Sequence, residues 1–291
     1  LHSGADARLT LHPAAPGSGI IFHRGDVTGR TATIDADWRN TRETQLCTRL
    51  ENAAGDHVHT VEHVMAALVA CGVTDVLARL DGAEPPILDG SAAPFARGIL
   101  SAGLIGNAGR TPLWRVRAPV EVREGTAMAR LEPADRMILD VTIDFPGTPI
   151  GRQHRCLTIA NGTALRDLAD SRTFTTKDAA ARARAAGMIR GGSLDNALVY
   201  DDRGTMNAGG PRHPDEAVRH KMLDALGDLA LAGAPILGRY VAHKAGHALT
   251  ARLLAALFTT PGAAEPVEAE GQIAKCLPGV GASQTDLPAA A

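Results

Sequence analysis

The stretch that decides how this chain folds reads Val218-Arg219-His220-Lys221-Met222-Leu223-Asp224-Ala225-Leu226-Gly227-Asp228. Its apolar residues recur at helical spacing, which predicts a helix with one apolar stripe. On that helix His220 and Asp224 stand four residues apart and project from one face, with about 5–6 Å between their Cβ atoms. This spacing suits two ligands of one metal ion, but the pattern alone is weak, and a solvated polar face is the alternative.

Helix and strand signals continue on both sides of this stretch. A helix is predicted over residues 215–232, where Gly233 and Pro235 close it. Residues 236–242 then have the pattern of a strand, and a further helix is predicted over residues 247–258. The second half of the chain therefore ends in a helix, a strand and a helix.

The first half of the chain has a similar alternation. Thr60 is expected to cap a helix that Gly72 ends. Residues 73–80 have the pattern of a strand, and Ser91 is expected to cap a second helix that runs to about Gly103. The apolar positions of the first helix follow helical spacing: Val61, Val64, Met65, Leu68 and Val69.

One short phrase occurs in both halves. Residues 7–25 carry Leu-x-Pro-Ala before a Gly-rich turn and an apolar run, which predicts a β-hairpin with a Pro/Gly loop. Residues 127–145 carry the same phrase before a strand. The repetition is weak support for an internal duplication, which the residues alone leave open. Strands interleaved with helix pairs, twice, predict an α+β fold.

The boundary between the halves is expected within residues 106–112. We therefore predict a first domain over residues 1–108 and a second over residues 109–264. Beyond Pro261 the chain is rich in Ala, Gly, Pro and Glu and has little periodicity, which predicts a mobile tail over residues 265–291.

The composition argues against several classes of protein. With 291 residues, of which 45% are hydrophobic and 21% charged, the chain has enough apolar residues for a packed core. A net charge of −2 and an aromatic content of 3% give no support for a nucleic-acid partner. No apolar run reaches the ~18 residues that a transmembrane helix needs.

The cysteines and the chain start bear on the cellular compartment. The four cysteines form no CxxC pair, so we expect free, mostly buried thiols in a reducing cytoplasm. The chain starts at Leu1 rather than Met, with no signal peptide, which predicts a truncated or processed start.

Two further histidines stand where metal chemistry would need them. Glu62 and His63 lie in the first turn of a predicted helix, where the helix dipole favours the carboxylate but not a protonated histidine. A neutral His63 would be available to a metal, with Glu62 beside it to activate water; a simple capping turn is the alternative. His247 lies at a helix start, and a nearby carboxylate such as Asp228 would raise its pKa toward that of a general acid. A surface-loop histidine is the alternative there.

Seven motifs spread over residues 1 to about 260 carry a family resemblance. They are Leu-His-Ser-Gly at 1–4, Thr-Val-Glu-His at 60–63, Glu-Pro-Pro-Ile-Leu-Asp-Gly-Ser-Ala-Ala-Pro-Phe at 84–95, Ser-Arg-Thr-Phe at 171–174, Gly-Gly-Ser-Leu-Asp-Asn-Ala at 191–197, the opening stretch at 218–228 and Lys-Ala-Gly-His-Ala-Leu at 244–249. In this order they closely resemble the UDP-3-O-acyl-N-acetylglucosamine deacetylases, the zinc amidases of lipid A biosynthesis.

The resemblance implies a fold and a metal site. The fold would be α+β with two similar domains, each a β-sheet layered against two α-helices, and the active site would lie at their seam. A βαβ insert over about residues 174–207 would form the passage for the acyl chain. One catalytic Zn²⁺ ion would be held by His63, His220 and Asp224.

The resemblance also implies a reaction and the roles of the residues that carry it out. The N-acetyl group of UDP-3-O-[(3R)-3-hydroxyacyl]-N-acetylglucosamine would be hydrolysed to acetate in the committed step of the pathway. Glu62 would be the general base and His247 the general acid, with Asp228 as its carboxylate partner. The groups near the substrate would be Thr173, Lys221 and Phe174. The expected partner is this UDP-acyl-sugar alone, bound by a monomer in the cytoplasm.

The sequence departs from the family pattern in three places. The strand that precedes Leu1 in the family is missing, which would leave a sheet edge open. His243 stands where an aromatic tyrosine is common. Residues 175–181 are smaller and more polar than the family's apolar pattern. The apolar lining of the acyl passage is therefore expected from Met188, Ile189 and Leu194.

Two other functions are compatible with the same residues. A zinc peptidase or a generic amidohydrolase would use the same three ligands, and an apolar acyl passage beside the metal would argue against it. A non-catalytic binding protein predicts a broken ligand set or a missing base. The chain instead retains the whole set: His63, His220, Asp224, Glu62 and His247.

Overall fold

A computed structural model describes residues 1–107 and 110–289 of the chain. This part of the chain contains seven α-helices and several β-sheets, so the predicted α+β class is confirmed. The helices are α1 (Glu62–Ala70), α2 (Ala93–Ala102), α3 (Thr163–Asp167), α4 (Lys177–Ala185), α5 (Glu216–Leu229), α6 (His247–Thr259) and α7 (Gly271–Ala274).

The strands fall into two sets on either side of α2. The first set is β1 (Leu9–Pro13), β2 (Ile20–Arg24), β3 (Thr33–Asp35), β4 (Thr41–Arg42), β5 (Arg49–Glu51), β6 (His57–His59) and β7 (Val76–Leu80). The second set is β8 (Pro112–Val116), β9 (Val120–Glu124), β10 (Ala127–Glu132), β11 (Met137–Phe145), β12 (Gly151–Thr158), β13 (Phe174–Thr176), β14 (Leu198–Asp201), β15 (Gly204–Thr205), β16 (Ile236–His243) and β17 (Ala264–Glu268).

The two largest sheets contain the same strand order. One runs β1-β7-β2-β3, and the other contains β10-β16-β11-β12, extended by β9, β8 and β17. In each, the second strand is antiparallel to the first and parallel to the third. That second strand follows one long helix and precedes another: α1 and α2 for β7, α5 and α6 for β16. The predicted domain boundary between residues 108 and 109 lies outside the described residues.

Each half carries an additional small sheet before its first long helix. Strands β4, β5 and β6 form one in the first half. In the second half β13 pairs in parallel with β14, and α4 lies between them in the chain. This is a βαβ arrangement, and it falls within the insert expected over residues 174–207.

The predicted β-hairpin over residues 7–25 is wrong. Both of its strands form, but β7 lies between them, so that Leu11 of β1 and Phe22 of β2 each align with Ala78. The alternation of apolar and polar residues predicts a strand, but it does not show which other strand it pairs with. Alternate residues of β7 are buried, and this distant strand fills the position between β1 and β2.

The predicted Thr60 cap is wrong, and the predicted Ser91 cap lies one residue before the N-cap position of α2. Thr60 has a left-handed φ of 59°, and its hydroxyl donates to Glu84 Oε1 at 2.9 Å. Val61 is the N-cap residue of α1, which has no side-chain cap hydrogen bond. Ser91 donates to Asp89 Oδ1 at 2.8 Å, and α2 begins one residue later than a Ser91 cap would allow. The Thr60 hydroxyl serves the turn before its helix, whereas the Ser91 oxygen also accepts from the backbone N–H of Ala93, the first residue of α2, at 3.3 Å.

The segment predicted as a mobile tail contains three short elements up to residue 289: the strand β17, the helix α7 and a 3-10 helix at Gln284–Asp286. Strand β17 pairs with β8 along its length. The backbone N–H of Asn161 donates to the carbonyl of Leu277 at 3.0 Å. Gly279 packs so tightly on Gly72 that an added Cβ would lie 2.2 Å from the Gly72 Cα. Backbone contacts and turns hold this segment in place. Such contacts do not require apolar residues at regular spacing, so the sequence shows no periodic pattern there.

All four cysteines are free, as predicted. Cys47 and Cys71 are buried, but Cys156 is exposed and Cys276 is partly exposed. The expectation that most of the thiols are buried is therefore wrong. No helix within residues 1–107 and 110–289 has both the length and the apolar character to cross a bilayer.

The halves meet where α1 packs against α5. Twelve of the fourteen residues of α5 are buried, including His220 and Asp224. The helix face that carries these two residues is therefore not solvated. The closest approach is at Gly227, where an added Cβ would lie 2.0 Å from the carbonyl oxygen of Glu62. Only a residue without a side chain allows the two helices to come this close.

We expect Gly227→Ala to destabilise the protein, because the added methyl group has no space between α5 and the Glu62 carbonyl. Backbone shifts forced by overpacking cost about 1–3 kcal/mol, measurable as the change in free energy of urea unfolding. Gly98→Ala is the matched control, since Gly98 also lies inside a helix but a Cβ there meets nothing within 4 Å. That substitution should be neutral or stabilise by up to about 1 kcal/mol. Equal unfolding free energies for the two variants would contradict the packing described.

Candidate metal centre

Three buried side chains direct ligand atoms toward one another at the contact between α1 and α5. His63 Nε2 lies 3.6 Å from Asp224 Oδ1, and His220 Nε2 lies 3.2 Å from the same oxygen. All three ligand atoms lie within 4.8 Å of one another. The structure thus brings together the three residues that the motifs single out, one from the first half and two from the second.

One oxygen of Asp224 lacks the partner that a bound cation would supply. Asp224 Oδ1 is buried and has no hydrogen-bond partner within the described residues. Such atoms are rare, because a buried oxygen without a partner loses its hydration without compensation. Two imidazole nitrogens and a carboxylate oxygen form a common ligand set of catalytic zinc sites. The residues present therefore fit a zinc ion.

His220 is held in the tautomer that a metal ligand requires. Its Nδ1 lies 2.9 Å from the carbonyl oxygen of Ser171, which can only accept, so the proton is on Nδ1. Nε2 is left with a lone pair that faces Asp224. Burial is the main reason that the pKa of His220 falls to about 4, and His63 nearby contributes to the fall. The ring is therefore neutral at physiological pH.

Asp224 is ionised and also binds a cationic side chain. Its Oδ2 accepts a hydrogen bond from Lys221 Nζ at 2.6 Å. Burial acts to raise the pKa of Asp224, but His220 and Lys221 outweigh it and hold this pKa well below the usual range. The pKa of Lys221 is raised, since Asp224 outweighs the effect of burial. The expected role of Lys221 beside the scissile amide stays a prediction.

Glu62 and His247 face each other beside the three ligands. Glu62 Oε1 lies 3.9 Å from His247 Nε2, which is 3.8 Å from Asp224 Oδ2. Asp228 Oδ2 lies 2.9 Å from His247 Nδ1, as expected for its carboxylate partner.

The pKa values of these two groups are both shifted upward. Burial raises the pKa of the Glu62 carboxyl. Burial alone would lower the pKa of His247, but Asp228 and Glu62 outweigh it and raise this pKa to about 9. Near neutral pH the site thus holds a carboxylate that favours gaining a proton and an imidazolium that retains one.

Sequence reasoning missed Thr48, which contacts both Glu62 and Asp228, the carboxylate partner of His247. Its backbone N–H donates to Glu62 Oε2 at 3.0 Å, and its hydroxyl donates to Asp228 Oδ1. Thr48 immediately precedes the short strand β5 and belongs to no motif. Since its partners are far away in the sequence, no local signal marks it.

Phe174, the first residue of the βαβ unit, borders the metal group, and Thr173 immediately precedes it. The ring of Phe174 packs edge-on against His220, with 6.2 Å between ring centroids. The backbone N–H of Thr173 donates to the carbonyl of Gly90 at 2.7 Å, which fixes this segment against the first half. A Cβ at Gly90 would lie 2.0 Å from the carbonyl oxygen of Asn196, so the turn fits only as glycine.

The predicted apolar lining lies farther along the same unit, in the loop between α4 and β14. Met188 and Ile189 are half-buried, and Ile189 has a left-handed φ of 46°, which is rare for a β-branched residue. Leu194 is 44% exposed. Their expected role in an acyl passage stays a prediction.

The fold and the site together define a class of protein. A buried His-His-Asp group beside a carboxylate and an imidazolium is typical of metal-dependent hydrolases that use a single ion.

Comparison with known proteins gives the family. Residues 1–259 match the family described as "LpxC: UDP-3-O-acyl N-acetylglycosamine deacetylase". The chain is 44% identical over 265 residues to the UDP-3-O-acyl-N-acetylglucosamine deacetylase of Anaeromyxobacter sp. (strain Fw109-5), covering 90% of this chain and 85% of the relative. The enzymes of the same name from Myxococcus xanthus (strain DK1622) and Haemophilus influenzae (strain PittEE) are 42% and 39% identical, over 92% and 93% of this chain and 85% and 89% of their own. The chain belongs to the UDP-3-O-acyl-N-acetylglucosamine deacetylase family, as its motifs indicate.

We expect the metal-free protein to lose stability as the pH rises from about 6.5 to about 9. The pKa of His247 is about 9 in the folded chain and about 6.5 in an unfolded one. The folded state holds this proton more tightly, so its contribution is complete below pH 6.5 and disappears as the pH passes the folded value. It amounts to on the order of 3 kcal/mol. Urea unfolding in the presence of a chelator at several pH values measures it.

The variant Asp228→Asn is the control for this measurement. It removes the negative charge that does most to raise the pKa of His247. The pKa of Glu62 is raised as well and acts in the same direction. The informative quantity is therefore the difference between the two pH curves. An equal loss of stability in both proteins would show that His247 is not the titrating group.

Proposed function

We propose that this protein hydrolyses the N-acetyl group of a UDP-3-O-acyl-N-acetylglucosamine, releasing acetate and leaving the UDP-3-O-acyl-glucosamine of lipid A biosynthesis. Family membership over residues 1–259 supports the substrate and the reaction. The single observation that carries the mechanism is the buried His63–His220–Asp224 group with its unpaired carboxylate oxygen. A (3R)-3-hydroxyacyl chain on the substrate is part of the proposal.

The metal is proposed to be one zinc ion per chain. His63, His220 and Asp224 would hold it, which leaves a position open for water and substrate. When bound, zinc polarises the acetyl carbonyl and lowers the pKa of a coordinated water to about 7. The hydrogen bond from His220 Nδ1 to Ser171 fixes the ring so that Nε2 is the ligand atom.

Glu62 and His247 are proposed to move the protons. The Glu62 carboxylate takes a proton from the attacking water, and burial, which raises its pKa, favours this transfer. His247 holds its proton near neutral pH and gives it from Nε2 to the departing amine nitrogen. Asp228 accepts from Nδ1, so Nε2 is the nitrogen that faces the reaction. Opposed protonation of the base and the acid predicts a bell-shaped pH–rate curve.

The substrate side is assigned to the βαβ unit and its neighbours. Thr173 is proposed to donate a hydrogen bond to the developing oxyanion; removing one such donor typically costs about 3–4 kcal/mol of transition-state stabilisation. Lys221 would lie near the scissile amide, and Phe174 would form a wall of the site. The acyl chain would be lined by Met188, Ile189 and Leu194.

The repeated strand order supports a duplicated two-domain architecture, with residues 1–108 and 109–264 as the domains and the active site at their seam. One chain supplies the whole ligand set, which supports a catalytically complete monomer. Four free thiols support a reducing compartment, the proposed cytoplasm.

Removal of one metal ligand tests the metal assignment. Purified protein should contain one zinc per chain, and Asp224→Ala should lose both the zinc and the deacetylation of UDP-3-O-acyl-N-acetylglucosamine, measured by elemental analysis and acetate release. Asp35→Ala, which removes an exposed carboxylate on β3, should keep both. A protein with substoichiometric zinc, and an Asp224→Ala variant as active as the unmodified chain, would remove the metal from the reaction.

A change at the proposed base separates binding from chemistry. Glu62→Gln has nearly the same shape and leaves the three ligands intact, so the zinc content should stay at one per chain. Turnover should fall by about 10²–10⁴-fold, the usual contribution of a general base. Glu51→Gln, on the neighbouring β5, is the control and should keep its activity. Full activity in Glu62→Gln would exclude this residue as the base.

A further inference from the structure

Thr48 is the residue that contacts the groups on both sides of the proposed proton transfer. Its backbone touches the base, and its hydroxyl touches the carboxylate that holds the acid. We propose that Thr48 is a positioning residue that fixes Glu62 and the Asp228–His247 pair relative to each other. The proposal rests on the proposed deacetylation and deepens it.

The backbone of Thr48 selects which oxygen of Glu62 faces the reaction. The Thr48 N–H donates to Glu62 Oε2 at 3.0 Å, and the Thr48 carbonyl accepts from the N–H of Thr60 at 2.9 Å. With Oε2 engaged, Oε1 is the oxygen that lies 3.9 Å from His247 Nε2. A buried carboxylate held in this way keeps one oxygen free for the attacking water.

The hydroxyl of Thr48 acts on the acid through Asp228. A carboxylate oxygen can only accept, so the hydroxyl donates to Asp228 Oδ1, and its oxygen then faces His247 Nδ1 at 3.2 Å. Asp228 Oδ2 is left to accept from His247 Nδ1 at 2.9 Å. Both oxygens of Asp228 are thereby engaged, which fixes the carboxylate and the ring it holds.

The place of Thr48 in the fold explains why one residue can reach both groups. It stands between β4 and β5 in the small sheet of the first half, yet its hydroxyl partners come 180 and 199 residues later, from α5 and α6. Glu62 comes from α1. Thr48 is 7% exposed, so water does not compete for these hydrogen bonds. The small sheet therefore supplies the residue that holds Glu62 of α1, Asp228 of α5 and His247 of α6 in fixed relative positions.

The deciding comparison is between Thr48→Val and Thr48→Ser in the zinc-loaded enzyme. Valine keeps the shape and the backbone N–H but removes the hydroxyl, whereas serine keeps the hydroxyl. We expect kcat to fall by about 10–100-fold in Thr48→Val, the usual range for partners of active-site groups. KM should change by less than about threefold, since Thr48 does not touch the substrate, and Thr48→Ser should keep at least about a third of kcat. Zinc content and melting temperature are measured for each variant.

A second pair of variants tests whether the hydroxyl acts through Asp228. In an Asp228→Ala background the hydroxyl has lost its carboxylate partner, so adding Thr48→Val should lower kcat by less than about twofold. Equal kcat values for Thr48→Val and Thr48→Ser, or independent losses in the double variant, would overturn the positioning role. If Thr48→Val loses zinc or unfolds, Thr48→Ala against Thr48→Ser becomes the deciding pair, under the same criterion.

The activity of the unmodified enzyme distinguishes a failure of the Thr48 proposal from a failure of the proposed deacetylation. If the zinc-loaded chain does not release acetate from UDP-3-O-acyl-N-acetylglucosamine, the proposed function fails. If it does so and the hydroxyl proves dispensable, only the role of Thr48 fails.

Discussion

The backbone contact between Gly227 and the carbonyl of Glu62 sets the distance between the two halves of the protein. His63 follows Glu62 directly on α1, while His220 and Asp224 lie on α5, so this contact also sets the distances among the three ligand atoms. Metal–ligand distances tolerate deviations of only about 0.2 Å. A methyl group at Gly227 would separate the helices by more than that. The site thus depends on a missing side chain as much as on those present.

The second constraint is the balance of charge among largely buried side chains. Three buried carboxylates, Glu62, Asp224 and Asp228, stand against two cations, Lys221 and His247. Buried charges are stable only when they are paired, so the group has one negative charge in excess when all three carboxylates are ionised. Burial is the main cause of the raised pKa of Glu62, and the neighbouring carboxylates Asp224 and Asp228 add to it. A divalent cation would supply the missing positive charge and a partner for the buried Asp224 Oδ1.

Helix positions could be predicted from the sequence because helical contacts are local. The helix of the opening stretch and the one that begins at His247 formed close to their predicted bounds, and the His-His-Asp group came together as the motifs indicated. Pairings over long distances could not be predicted. The position of β7 between β1 and β2 and the contacts of Thr48 both depend on residues that periodicity does not connect. The packing of the C-terminal segment could not be predicted either, since it rests on backbone hydrogen bonds and close glycine contacts between distant residues.

That C-terminal segment limits how the protein can open. It leaves the second half at β17, contacts Asn161 there, and returns to α2 of the first half, where the Arg97 side chain donates to the Pro288 carbonyl at 3.0 Å. The halves are therefore linked in two places. One link is the chain segment that follows α2, and the other is the contact of the C-terminal segment with the first half. A hinge motion that separated them would have to break the second connection. The close contact of Gly90 with the carbonyl oxygen of Asn196 likewise fixes the βαβ unit against the first half, so the part of the chain that the structure describes is held together at both places.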